Sequence, residues 1–125
     1  MLKDKTSSAI VAVSDLQRAR DFYTHTLGLE PSGGEMDGVL AYRTGDTQLV
    51  VYRSEDVRPG TGNAVAWRGG DDVDAIAETL RAKGVTLETY PELGMDIDRG
   101  VHRRDGLAAI WFKDPDGNIL HVHSM

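Results

Sequence analysis

Phe112-Lys113-Asp114-Pro115-Asp116-Gly117-Asn118-Ile119-Leu120-His121-Val122-His123 is the stretch that decides how this chain is read. An Asp-Pro-Asp-Gly-Asn turn between two apolar runs is hairpin chemistry. Proline pre-sets φ, glycine accepts φ > 0, and the Asp and Asn side chains can bond their own backbone. Side chains alternate along the strand that leaves the turn, so His121 and His123 fall on one face of a sheet. Whether those two imidazoles hold a metal separates a metalloenzyme from a binding protein.

Working outward, Leu107–Lys113 is the strand that enters the turn and Asn118–Ser124 the one that leaves it. Upstream, Asn63–Arg68 (Asn-Ala-Val-Ala-Trp-Arg) reads as a strand, and Asp71 or Asp72 as a helix N-cap. Val73, Ile76, Ala77 and Leu80 form a buried stripe, Gly84 a helix stop, and Val85–Glu88 a further strand. This half therefore reads βαβββ. The first half repeats the pattern. Ser8–Val13 is a strand, and Ser14 with Gln17 has capping-box spacing. Leu16, Ala19, Phe22, Tyr23, Thr26 and Leu27 recur at helical intervals up to Gly28. Three strands follow, near Glu30–Met36, Val39–Arg43 and Gln48–Arg53, with turns at Asp37-Gly38 and Gly45-Asp46. Superimposing the helix starts gives an offset of about 57 residues, the signature of an internal repeat. Module 1 spans about residues 7–53, a Pro/Gly-rich connector 54–62, and module 2 63–125. Residues 90–105 show no strong periodicity and read as a loop over the pocket, because structureless stretches longer than about 12 residues are usually lids or binding loops.

Composition narrows the classes. A chain of 125 residues suits one domain with a core of its own, and it has no cysteine, which removes disulfides, thiol catalysis and Cys-type zinc sites. The net charge of −6 argues against a phosphate-backbone binder and would favour cationic ligands. No signal core and no stretch of ~20 apolar residues is present, so no membrane partner is expected and the cytoplasm is the default compartment. There is no Gly-x-Ser-x-Gly elbow, P-loop or dinucleotide fingerprint.

Val13-Ser14-Asp15-Leu16, Phe22-Tyr23, Leu27-Gly28-Leu29, Asp71-Asp72-Val73-Asp74 and Trp111 to Asn118 together resemble the vicinal oxygen chelate superfamily. That superfamily includes glyoxalase I, extradiol dioxygenases, fosfomycin-inactivating thiol transferases and bleomycin-resistance proteins. The resemblance covers nearly the whole chain. It implies an α+β fold in which two tandem βαβββ modules form a curled mixed-sheet half-barrel cleft, often as a homodimer. It also implies where the metalloenzymes' ligands would fall: Ser8, Ala64 (or its neighbour Asn63), His121, and a fourth position near Val50.

Only His121 of that set is a ligand type, since catalytic zinc wants about three protein ligands and hard cations want carboxylates. His121 with His123 can contribute to some other site, as neutral imidazole binds Zn, Cu, Fe or Ni; their alternatives are a ligand-contacting pair or a hydrogen-bonded structural pair. No cofactor is expected, and a divalent metal is the lesser reading. Without one, the pocket works by shape, stacking and hydrogen bonds. The candidate ligand-binding residues are Ser8, Gln48, Val50, Tyr52, Ala64, Trp111, His121 and His123. Trp111 falls where the resembling thiol transferases carry an aromatic that touches substrate. Trp67 alternates to the other face, toward a helix, and the Asp71–Asp74 cluster reads as a helix start. Asp96, Asp98 or Asp105 could assist His121 in a metal-free acid–base role.

The leading expectation is a binding or sequestering protein for a small aromatic or cationic molecule. The runner-up is a metal-dependent lyase, isomerase or dioxygenase relative, and a third reading is a protein-interaction scaffold.

Overall fold

The computed structural model describes residues 1–33 and 36–125. The chain divides into two compact units, Met1–Arg58 and Pro59–Met125, a boundary that falls within the 54–62 connector.

In the first unit, β1 (Ala9–Val13) leads into α1 (Leu16–Arg20), which continues as a π-helical turn over Asp21–Thr26. The N-cap is Asp15 rather than Ser14: its side chain accepts from Arg18 N at 3.0 Å. The wider turn, closed by Leu27 N donating to Phe22 O, rotates the later residues relative to a regular helix. Tyr23 is consequently fully buried with Ala19, whereas Phe22 and Leu27, expected in the core, are half-buried.

Strands β2 (Glu30–Pro31), β3 (Val39–Thr44) and β4 (Thr47–Arg53) complete a sheet of order β1-β4-β3-β2, with β1 parallel to β4. The strand expected at Glu30–Met36 is cut to its first two residues; Met36 makes an isolated bridge to Val39, and residues 34 and 35 lie outside the described residues. Val11, Val13, Leu40, Tyr42, Leu49 and Val51 form the buried face. The Tyr42 ring stands 6.2 Å from that of Tyr23, and its hydroxyl lies 2.9 Å from Thr24 Oγ1. Removing a side chain the size of Leu49 from such a face costs about 2–5 kcal/mol. The opposite face leaves Ile10 63% exposed and Tyr52 at the surface.

In the second unit, β5 (Asn63–Arg68) matches the expected span, and α2 (Val73–Ala82) follows a 3-10 turn at Gly70–Asp72. Asp72 occupies the cap position but makes no side-chain cap bond. Gly84 at φ +83° ends the helix, where Val85 N donates back to Leu80 O.

Two expectations are overturned here. Val85–Glu88 is not a strand: a single bond from Glu88 N to Trp111 O replaces a ladder. Residues 90–105 are not a free loop but a 3-10 turn at Pro91–Leu93 and a hairpin of β6 (Asp96–Asp98) and β7 (Val101–Arg104). The Arg99-Gly100 turn closes it, and Asp105-Gly106 joins β7 to β8 (Leu107–Lys113), with positive φ at all four residues. Gly100 is required twice over. It sits at φ +87°, and a Cβ there would come within 2.6 Å of Leu87.

β9 (Ile119–His123) closes a sheet of order β5-β9-β8-β7-β6, with β5 parallel to β9. The unit thus repeats the first topology with one added edge strand. The turn between β8 and β9 is the hairpin expected from Asp-Pro-Asp-Gly-Asn. Asp114, 4% exposed, accepts from Asp116 N, Asn118 N and Asn118 Nδ2 at 2.8–3.0 Å. On the helix-covered face Val65, Phe112, Ile110, Leu120 and Val122 are buried with Val73, Ala77 and Leu80. Trp67 is in register with Val122 and so lies on this face, as its alternation suggests. Among the described residues, no helix is long and apolar enough to cross a membrane.

Candidate functional site

The face of the second sheet away from α2 collects the chemistry. Directly paired residues share a face. One row across the strands therefore runs Arg68, His123, Ala109, His102, Ile97, and the next runs Ala66, His121, Trp111. Ring stacking joins the two rows. Trp111 and His121 stack with centroids 4.5 Å apart and planes 19° from parallel. His102 and Tyr90 each meet the indole edge-on, at 4.9 and 5.4 Å. His123 lies 5.3 Å beyond His121.

The indole is thus gripped by rings on several sides. His102, wholly buried, fixes this arrangement: Tyr90 N donates to its Nε2 at 3.0 Å, and its Nδ1 lies 3.2 Å from Gly100 O. Both bonds are satisfied by the tautomer with its proton on Nδ1. Tyr90 has its phenol pKa raised, first by burial and then by the Glu88 carboxylate, so it stays a neutral donor.

His121 is the chemically available group. Its Nδ1 faces Ile110 O at 3.1 Å and, as donor, leaves Nε2 as the basic nitrogen. Burial lowers its pKa, the Ile110 carbonyl raises it, and neighbouring His123 lowers it again; the net direction is down. Imidazole, not imidazolium, is its form at neutral pH. His123 Nδ1 is buried and has no hydrogen-bond partner among the described residues.

The sequence-derived candidates fall into two groups. Trp111, His121 and His123 come together on this face, whereas Ala64 falls in a bulge of β5 at the level of Ile119 and Leu120, and Ala66 is the residue in register with His121. Ser8, Gln48, Val50 and Tyr52 belong to the first unit. Ser8 and Gln48 line a polar surface pocket of about 300 Å³ with Thr6, Ser32, Arg43, Asp46 and Thr47, and Ser8 Oγ lies 3.5 Å from Thr47 Oγ1. Val50 and Tyr52 lie on the face of β4 opposite Leu49 and Val51, in register with Ile10 and Ala12. Tyr90, His102 and Arg68 were not foreseen. Asp105-Gly106, a strong hairpin signal, marks β7 and with it the placement of His102. The guessed partners of His121 are not beside it: Asp96 and Asp98 lie on edge strand β6, beyond β8 and β7, and Asp105 is in a turn.

The glyoxalase/bleomycin resistance protein/dioxygenase superfamily model matches residues 6–122. The chain belongs to that superfamily. Among solved structures, a lactoylglutathione lyase from Agrobacterium tumefaciens is 18% identical, with a TM-score of 0.72 over 98% of this chain and 95% of that one. The fosfomycin resistance protein FosX from Listeria monocytogenes is 17% identical, with a TM-score of 0.74 over 96% and 92%. The oxidase ChaP-H2 is 23% identical, with a TM-score of 0.74 over 98% and 94%. At these identities the likeness shows the fold. No curated protein matches the sequence.

The resemblance places the ligands of the metal-using members at Ser8, at Ala64 or its neighbour Asn63, at His121 and near Val50. Those residues do not fit a three-ligand site. Ala64 and Val50 carry no donor atom, and among the described residues no three His, Asp or Glu side chains gather as a metal-ligating group.

Proposed function

We propose that this superfamily member binds a small planar organic molecule on the face of its second sheet away from α2, by stacking and hydrogen bonding and without a metal ion. The observation that carries the reading is the Trp111–His121 stack braced by His102 and Tyr90. Such bracing lowers the entropy lost when a ligand stacks on the indole, and each aromatic pair adds about 0.5–1.5 kcal/mol beyond area burial. Beside it stands a buried polar atom with no partner among the described residues, His123 Nδ1. A few placed polar atoms on an aromatic surface are what small-molecule sites consist of. On this reading the protein sequesters its ligand, in the manner of the bleomycin-resistance members, instead of transforming it.

Calorimetric titration with 2-naphthamide, a neutral planar probe, tests this. Saturable one-site binding that weakens at least about tenfold in Trp111→Leu supports it. Binding unchanged in that variant refutes it.

One observation favours a second reading: His121 has a lowered pKa and an Nε2 with no hydrogen-bond partner among the described residues. That combination suits a base or a ligand in a metal-dependent lyase or dioxygenase. Stoichiometric Zn, Ni, Mn or Fe in the purified protein, lost on His121→Ala, would establish it. A cytoplasmic homodimer completes the proposal; the apolar face holding Ile10, Val50 and Tyr52 supports the dimer, and sedimentation equilibrium checks it.

A further inference from the structure

We propose that the ligand of this face is a planar aromatic acid whose carboxylate, or an equivalent anion, is held by Arg68 beside His123. The inference rests on the aromatic-binding reading above and adds the ligand's charge and the residue that reads it.

Arg68 ends β5 in direct register with His123, so its side chain leaves the sheet on the face of the Trp111–His121 stack. It is exposed, and no carboxylate of the described residues lies within ion-pair distance of it. Three other arginines of the unit are engaged, Arg81 with Arg99 O, Arg103 with Asp74 and Arg104 with Leu93 O, while Arg99 sits in the turn between β6 and β7, at the sheet edge away from β5. Arg68 is thus a guanidinium left over beside a binding surface, with a fork geometry that matches a carboxylate.

Next to it, His123 Nδ1 is buried and unsatisfied. Buried polar atoms are nearly always partnered, so an orphan at a candidate site calls for an occupant. A ligand oxygen held by Arg68 would come beside this nitrogen, which donates when it carries the ring proton. Ala66 and Ala109 flank the pair in the register rows with single methyl groups, so His123 is the one ring that these rows place between Arg68 and the stack.

The local charge is also right. His121 is neutral, and Glu88 and Lys113 neutralise each other 3.5 Å apart at the far end of β8. The overall −6 acts through solvent and is screened beyond about 8–10 Å at physiological salt. It therefore does not decide the sign of a ligand in contact with Arg68, and an anion is favoured where composition alone pointed to a cation.

The test is calorimetric titration of the full chain at pH 7.5 with 2-naphthoate and its neutral counterpart 2-naphthamide, in wild type, Arg68→Gln and Arg68→Lys. The expected result is that wild type binds the acid about tenfold or more tighter than the amide, as a charge-assisted pair at a partly solvated site provides. Arg68→Gln brings the two within about twofold, and Arg68→Lys keeps part of the preference because it keeps the charge but not the fork. Equal affinity of acid and amide in wild type overturns the acidic-ligand inference while leaving the aromatic face intact. A preference that survives in Arg68→Gln overturns the role of Arg68. Failure of both probes to bind overturns this inference together with the reading it rests on.

Discussion

The indole of Trp111 lies over the imidazole of His121, 4.5 Å between centroids, while His121 Nδ1 is tied to Ile110 O. The stack makes the tryptophan a reporter of its neighbour's charge, because an imidazolium quenches indole emission more strongly than a neutral ring. In a Trp67→Phe background, emission of Trp111 should fall as pH drops through a midpoint below the usual histidine value of about 6.5. His121→Gln should flatten that transition. A midpoint at or above the usual value contradicts the burial that lowers it.

The same titration is a stability statement. The folded pKa of His121 lies below its unfolded value, so between the two the unfolded chain binds more protons. Stability from keeping this ring neutral is therefore fully present above about pH 6.5 and is lost as pH falls through the folded pKa. Urea midpoints at pH 7.5 and pH 5 should differ less in His121→Gln than in wild type. An equal or larger difference in the variant would show that other groups control the acid limb.

His102 holds Tyr90 N and Gly100 O at once and leans on the indole edge. His102→Ala leaves two backbone groups without their partner and a cavity beneath Trp111. It should cost about 3–5 kcal/mol in urea unfolding. Because the ring acts through Trp111, His102→Asn should recover part of the stability while 2-naphthamide affinity stays reduced. Wild-type affinity in a folded His102 variant would remove it from the bracing role.

How much of this was visible beforehand follows from which signals are local. The repeat, both helices, β5 and the Asp114–Asn118 turn are legible because caps, glycines and apolar spacing act over a few residues. His121 and His123 are placed on one face by alternation alone, and Trp111, singled out by the family resemblance, joins them through the register of β8 with β9. Tyr90 and His102 were hidden, because β6 is three residues long and β7 carries a buried histidine where strand patterns want an aliphatic. Arg68 was invisible as a site residue: only the parallel pairing of β5 with β9, a long-range fact, sets it beside His123. The π-helical turn that buries Tyr23 in place of Phe22 breaks the helical period from within.

Asp114 shows the weight of the turn. Its carboxylate satisfies three donors while 4% exposed, so Asp114→Ala strands backbone N–H groups and should cost about 1–3 kcal/mol. Asp114→Asn, which keeps one acceptor oxygen, should cost less. Equal losses in thermal unfolding would indicate that charge, not the bonding pattern, holds the β8–β9 corner.

The central claim is that stacking on Trp111, and not an ion, holds the ligand. Titration calorimetry of 2-naphthamide in excess chelator, on wild type and Trp111→Leu, addresses it most directly. The account predicts saturable binding that the chelator leaves unchanged and that the Trp111→Leu variant, folded by circular dichroism, loses by at least about tenfold. Binding abolished by the chelator, or indifferent to Trp111, would contradict it.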